Sequence, residues 1–192
     1  MHSLRRLVLA LLAAAATPLL AGAQRVAASD KLVFIVRHAE KASATDPDPS
    51  LSDSGTARAE ALATALLDAR LTDILVTPRK RTQETAAAAA KARDLTMHVV
   101  GFGASTPEHV AAVAAAVRAA KGNAVLVVGH SNTVHLIIAA LGGPKIAELC
   151  DAEYSNLFIV RLTAAAPPGF VRAHYGAPDP ANAGTCAAMQ MR

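Results

Sequence analysis

Residues 34–41, FIVRHAEK, carry the pattern that decides how this chain is expected to fold. The apolar, β-branched residues 31–36 predict a buried strand, with Arg37 and His38 at its carboxyl end. An imidazole held there by rigid backbone can attack phosphorus through an unprotonated ring nitrogen, if nearby charges neutralise the phosphoryl oxygens. The guanidinium of Arg37 can donate bidentate hydrogen bonds to two such oxygens. For the dipeptide alone, a surface Arg–His pair that closes a strand is the alternative.

Predicted strands and helices alternate along the rest of the chain. The hydrophobic periodicity predicts strands at residues 31–36, 73–76, 97–100, 124–128, 157–162 and 170–174, the last two as a hairpin, and helices at residues 54–69 and 79–93, from residue 106 and from residue 131. The alternation predicts an α/β fold, a three-layer α/β/α sandwich with a mostly parallel central sheet. Ligands of such sheets bind beyond the carboxyl ends of the strands. Three predicted strand ends carry chemically reactive residues, at positions 37–38, 77–81 and 129–130.

Three further motifs follow FIVRHAEK in order: LSDSG at residues 51–55, TPRKRTQETA at 77–86 and VLVVGHSNT at 125–133. Together the four motifs resemble the histidine phosphatase superfamily, also called the phosphoglycerate mutase-like family. That family has a strand followed by Arg-His-Gly or Arg-His-Ala and an acidic residue, then Leu-Thr or Leu-Ser, two residues and a Gly. Ser-Pro-x-x-Arg-x-x-x-Thr-Ala and a strand ending in Gly-His come next. The resemblance covers residues 32–133 and implies a phosphoglycerate mutase-like fold.

The resemblance also implies catalytic and substrate-binding roles. His38 matches the nucleophile that forms a phosphohistidine intermediate, while Arg37, Arg81 and His130 match the residues that hold the phosphoryl oxygens. Two guanidinium groups and at least one protonated imidazole can offset the charge of a phosphate dianion. A helix that starts near Ser131 would add backbone N–H groups. No metal or other cofactor is expected, because the histidines are scattered without metal-ligand spacing.

The general acid that protonates the leaving group is the weakest part of the pattern. The family usually places it between the second arginine motif and the Gly-His motif, where this chain offers Glu108. A position in an ordinary helix start, capped by Ser105 or Thr106, is the alternative role for Glu108 and the favoured one. Without an acid, substrates with better leaving groups, such as phosphohistidine or anhydrides, are favoured.

Arg79 and Lys80 occupy positions that the family leaves variable. Both are expected to be solvated, although either could contact the substrate. Thr77 stands where the family usually has Ser, a change that keeps the hydroxyl group.

The N-terminus predicts export. Arg5 and Arg6 precede an apolar stretch, and the small residues 21–23 predict signal-peptide cleavage after Ala23. The predicted signal peptide is residues 1–23 and the predicted histidine phosphatase domain is residues 24–192; an uncleaved N-terminal anchor, and with it membrane contact, is the alternative. We therefore expect a periplasmic or secreted protein.

Charge and cysteine content complete the expectations. The formal charge of +4 falls to about +2 when Arg5 and Arg6 are removed, and no run of Lys and Arg indicates a nucleic-acid partner. In an exported protein, Cys150 and Cys186 favour a disulfide that holds the C-terminal tail to the domain; two unpaired thiols are the alternative.

The sequence therefore predicts an exported phosphatase that hydrolyses a phosphomonoester or phosphohistidine through an intermediate on His38. Its partner would be a phosphorylated small molecule or a phosphoprotein. A phosphoglycerate mutase-like phosphotransferase and a non-catalytic phosphate-binding module are the alternatives. The sequence indicates neither the physiological substrate nor the oligomeric state.

Overall fold

The computed structural model describes residues 30–164 and 167–181. The elements in chain order are β1 (Lys31–Arg37), α1 (Asp53–Ala65), β2 (Asp73–Val76), α2 (Lys80–Arg93), β3 (Met97–Val99), α3 (Thr106–Ala119), β4 (Ala124–Gly129), α4 (Ser131–Ala140), β5 (Asn156–Leu162) and β6 (Gly169–His174). None of the helices in this part of the chain is long and apolar enough to cross a membrane. The predicted signal peptide and Cys186 lie outside the described residues, so export and the Cys150–Cys186 disulfide remain predictions.

The central sheet has six strands in the order β3-β2-β4-β1-β5-β6. The pairs β3–β2, β2–β4 and β4–β1 are parallel, whereas β5 runs antiparallel to both of its neighbours. The prediction of a mostly parallel sheet that ends in a hairpin is confirmed.

Alternating side chains of each strand supply two separate cores. In β1, Val33 and Ile35 pack with residues of α3 and α4. The intervening Phe34 and Val36 pack with residues of α1 and α2 on the opposite face. Because successive strand residues point to opposite faces, a near-continuous apolar strand is buried on both sides. The predicted three-layer α/β/α sandwich is confirmed.

One predicted boundary is wrong by four residues. Helix α1 ends at Ala65 rather than Ala69, because Leu66 leaves helical geometry and the chain turns. Arg70 then takes a left-handed backbone with a φ of 50°. The apolar spacing of residues 66–69 continues the helical period without continuing the helix.

The LSDSG motif places α1 directly against the loop that follows β1. Ser52 caps α1, and its hydroxyl accepts a hydrogen bond from the Gly55 N–H at 3.1 Å. A Cβ on Gly55 would lie 2.3 Å from the carbonyl oxygen of Glu40. The glycine is therefore required by the close approach of two backbone segments.

We expect Gly55→Ala to lower the free energy of unfolding by about 1–3 kcal/mol, because the backbone of Glu40 cannot move aside cheaply. Urea unfolding of the two proteins measures the difference. Gly101→Ala is the matched control, since a Cβ there meets no atom within 4 Å. Equal stabilities for Gly55→Ala and the control would show that the close approach does not constrain the fold.

Candidate active site

The ends of three neighbouring strands bring the sequence-predicted residues together. Arg37, the last residue of β1, pairs in register with Gly129, the last residue of β4. The His38 N–H continues this pairing by donating to the Gly129 carbonyl oxygen at 2.9 Å. The rings of His38 and His130 consequently lie 5.4 Å apart, edge to face.

The imidazole of His38 is held in one tautomer. Its Nδ1 lies 2.8 Å from the carbonyl oxygen of Ala39, which can only accept a hydrogen bond. Nδ1 therefore carries the proton, and Nε2 keeps a free lone pair. Burial lowers the pKa of His38 to about 3, outweighing the Ala39 hydrogen bond that raises it, and the charge of Arg37 lowers it further. The ring is thus neutral and nucleophilic at neutral pH.

His130 begins the fourth helix with its ring inside the site. It is the N-cap of α4, and its backbone N–H donates to Thr133 Oγ1 at 3.0 Å. Its Nε2 lies 3.1 Å from Thr77 Oγ1, so the hydroxyl retained at position 77 orients this ring. Burial is the main cause that lowers the pKa of His130 to about 3, and the charge of Arg81 is the next largest cause. Burial thus disfavours the protonated form of this ring, and the protonated imidazole expected beside a phosphate dianion stays a prediction.

Arg37 is anchored at one edge and free at the other. Its Nη1 donates to the carbonyl oxygens of Cys150 at 2.7 Å and Asp151 at 3.0 Å. Its Nη2 makes only longer contacts, 3.3 Å to Asp151 Oδ1 and 3.5 Å to the Tyr154 hydroxyl. The buried Nε has no hydrogen-bond partner. Nε and Nη2 form the side-on edge of a guanidinium, the edge suited to two oxygens of one anion.

Arg81 shows the same pattern. It lies in the first turn of α2 with its side chain 17% exposed, and its Nη1 is 3.7 Å from Asp48 Oδ1. Its Nε is buried without a partner. Burial, followed by the charge of Arg79, lowers the pKa of Arg81. A buried, unpaired N–H is costly, and such groups occur on both arginines that the resemblance assigns to phosphate binding.

Glu108 takes part in a helix cap. Its N–H donates to the hydroxyl of Ser105, the N-cap of α3, at 3.3 Å. Its carboxylate reaches back to accept from the Ala104 N–H at 2.7 Å. The capping alternative therefore has direct geometric support, and the acid role of Glu108 stays a prediction.

Several contributors were not predicted from the sequence. The ring of Tyr154 stacks on Arg37, with the guanidinium carbon 4.2 Å from the ring centroid. Burial raises the pKa of the Tyr154 hydroxyl. The motif residue Glu40 forms an ion pair with the buried Arg58 at 2.7 Å, which ties the loop after β1 to α1. No spacing in the sequence indicates either partnership, because both join segments that the tertiary fold brings together.

Within the described residues there is no group of three or more His, Cys, Asp or Glu side chains that could hold a metal ion. The chemistry that the geometry permits is nucleophilic attack by His38 Nε2 on an electrophile whose negative charge is held by Arg37 and Arg81.

We expect the imidazole of His38 to stay neutral between about pH 8 and about pH 5, with its proton on Nδ1. The depressed pKa means that protonation begins only as the pH falls toward about 3. Nitrogen-15 NMR of the histidine rings measures this, with a His38→Gln variant to assign the resonance. A titration midpoint near the ordinary value of about 6.5 would show that the ring is not buried as described.

Comparison with known proteins finds a family model that matches the part of the chain with the first three motifs. Residues 33–101 match the family model of the histidine phosphatase superfamily (branch 1). No curated protein sequence matches the chain significantly.

Solved structures share the fold at low sequence identity. SixA from Nakamurella multipartitia is 23% identical, covers 79% of this chain and 99% of its own, and has a TM-score of 0.54. The protein histidine phosphatase SixA complexed with tungstate is 22% identical over 74% of this chain and 96% of its own, with a TM-score of 0.55. A mycobacterial glucosyl-3-phosphoglycerate phosphatase is 16% identical over 77% of this chain and 99% of its own, with a TM-score of 0.57. The predicted resemblance to the histidine phosphatase superfamily is therefore confirmed over residues 33–101, and the solved structures confirm the predicted fold.

Proposed function

We propose that this chain is a phosphatase that transfers a phosphoryl group first to His38 and then to water. The observation that carries the proposal is a neutral His38, with its Nε2 lone pair free, near two arginines that each have a buried Nε–H without a partner. One phosphoryl group would satisfy all three. The superfamily and the phosphatases among its structural neighbours support this activity at a coarse level.

The geometry supports a two-step reaction. The Nε2 lone pair of His38 forms a bond to phosphorus while the bond to the leaving group breaks. Arg37 and Arg81 hold the phosphoryl oxygens as charge is redistributed among them. Water then attacks the phosphohistidine, the P–N bond breaks and the electron pair returns to Nε2. Thr77 keeps the ring of His130 beside the reacting group.

We propose phosphomonoesters or phosphohistidine as the substrate class. One structural neighbour is the protein histidine phosphatase SixA, which supports the second option, and another is a glucosyl-3-phosphoglycerate phosphatase, which supports the first. An ester substrate requires a proton donor for its leaving alkoxide. Glu108 remains the proposed donor for esters, whereas phosphohistidine would make it unnecessary.

Export is part of the proposal and is supported by the sequence pattern of residues 1–23 alone. A phosphoglycerate mutase-like phosphotransferase or a phosphate-binding module would use the same pocket. Measuring the phosphate released distinguishes a phosphatase from these alternatives. A binding module releases no phosphate, and a mutase transfers the phosphoryl group to an organic acceptor.

We expect the mature protein to hydrolyse para-nitrophenyl phosphate and His38→Ala to lose at least about a thousandfold in kcat, because removing the nucleophile eliminates the covalent route. His98→Ala is the matched control, since His98 is an exposed histidine on β3. Release of para-nitrophenolate gives the rate. Equal rates for His38→Ala and His98→Ala would reject the assignment of the nucleophile.

The variant Glu108→Gln, measured in the same assay, distinguishes the two possible roles of Glu108, catalytic acid and helix cap. A catalytic acid would make the loss of rate larger for an alkyl phosphate than for para-nitrophenyl phosphate, whose leaving group needs no proton. A helix cap would lower the free energy of unfolding by about 1 kcal/mol and leave the ratio of the two rates unchanged.

A further inference from the structure

Arg79 does not have the solvated position expected from the sequence. It is the N-cap of α2 and is half-buried, with its guanidinium carbon 5.6 Å from the centroid of the Phe102 ring. None of the ion pairs among the described residues involves Arg79. A guanidinium that is partly desolvated against an aromatic ring and unpaired with a carboxylate is available to bind an anion.

The Phe102 ring connects Arg79 with the site of chemistry. Its centroid lies 5.8 Å from that of the His130 ring. Phe102 and His130 both line a cavity of about 370 Å³, together with Ser105, Thr106 and Asn132. Arg79 is not among the residues that line this cavity; its guanidinium lies against the Phe102 ring, one ring away from His130.

The balance of charge indicates what the site would accept next to the transferred phosphoryl group. Arg37, Arg79 and Arg81 contribute three positive charges, and Arg79 is close enough to Arg81 to lower its pKa, second only to burial. The carboxylates paired with them are weak partners: Asp48 lies 3.7 Å from Arg81, and the side chain of Asp151 is 98% exposed. A transferred phosphoryl group held by two of the arginines leaves the charge of Arg79 uncompensated.

We propose that Arg79, next to Arg81 and the Phe102 ring, binds a leaving group that is itself a phosphate, and that the chain therefore hydrolyses phosphoanhydrides. The inference rests on the proposed function, because it uses the same His38 nucleophile. It adds an activity that needs no proton donor, which agrees with the engagement of the Glu108 carboxylate in a helix cap.

The step balances without a further reactant except water. His38 Nε2 forms a bond to the terminal phosphorus as the bridging P–O bond breaks, and the bridging oxygen keeps the electron pair. The departing phosphate gains one negative charge beside Arg79, which stabilises it in place of a proton. Hydrolysis of the phosphohistidine returns the electron pair to Nε2, and the second proton of water leaves with the phosphate product.

ADP and AMP form a matched pair that tests this inference. Both carry the same nucleoside, but the group that leaves from ADP is a phosphate, whereas AMP must release an alkoxide. We expect the wild-type protein to have a kcat/KM for ADP at least about a hundredfold above that for AMP.

We expect Arg79→Gln to lower kcat/KM for ADP by about tenfold, because a charge-assisted hydrogen bond is lost. Its effect on para-nitrophenyl phosphate should stay within about twofold, since nitrophenolate bears no second phosphate.

Lys80→Gln is the matched control, because it removes the neighbouring, exposed positive charge and should change neither rate. Equal losses on ADP and para-nitrophenyl phosphate in Arg79→Gln would overturn the inference, as would equal losses in the two variants. Hydrolysis of para-nitrophenyl phosphate that depends on His38, without any hydrolysis of ADP, would overturn the inference and leave the proposed function standing. No turnover dependent on His38 with any substrate would overturn both.

Discussion

The hydrogen bond from His38 Nδ1 to the Ala39 carbonyl oxygen is the interaction on which the site depends, because it leaves Nε2 unprotonated. The acceptor peptide must itself be held in place. The Ala39 N–H donates to Thr85 Oγ1 at 2.9 Å, and the Glu40 carbonyl oxygen accepts from the Ser52 N–H at 3.0 Å. The threonine of the second arginine motif and the serine of LSDSG thus act on the nucleophile through the backbone, without touching the substrate.

A second constraint comes from outside the four motifs. The backbone carbonyl groups of residues 150–153 fix one edge of the Arg37 guanidinium. The Asp179 carboxylate positions the end of this segment by accepting from the N–H groups of Tyr154 and Ser155, both at 2.9 Å. The C-terminal part of the domain therefore sets the direction in which Arg37 presents its free Nε. Burial of this charge is tolerated because three carbonyl oxygens and an aromatic face replace water around it.

The sequence was sufficient for the fold and for the expectation that Arg37, His38 and His130 lie close together. Apolar runs such as residues 124–128 bury both faces, so their period and length identify strands, and the ends of β1 and β4 then place Arg37, His38 and His130 together. The lowered pKa values of His38 and His130 were not predictable, because they depend on how completely the folded chain excludes water from the two rings. The positions of Tyr154 and Arg79 were also missed, since each acquires its role from an aromatic or cationic partner distant in the sequence. The end of α1 was predicted four residues too late, because the apolar spacing of residues 66–69 continues the helical period beyond the end of the helix.

The central claim is that His38 Nε2 and the free Nε groups of Arg37 and Arg81 are directed at one anion. A crystal structure with bound vanadate, which resembles a phosphoryl group in transfer, tests it most directly. The account predicts vanadium within about 3 Å of His38 Nε2, with both Nε groups within about 3.2 Å of its oxygens. Vanadate bound elsewhere, or bound while both Nε groups remain unpaired, would contradict it.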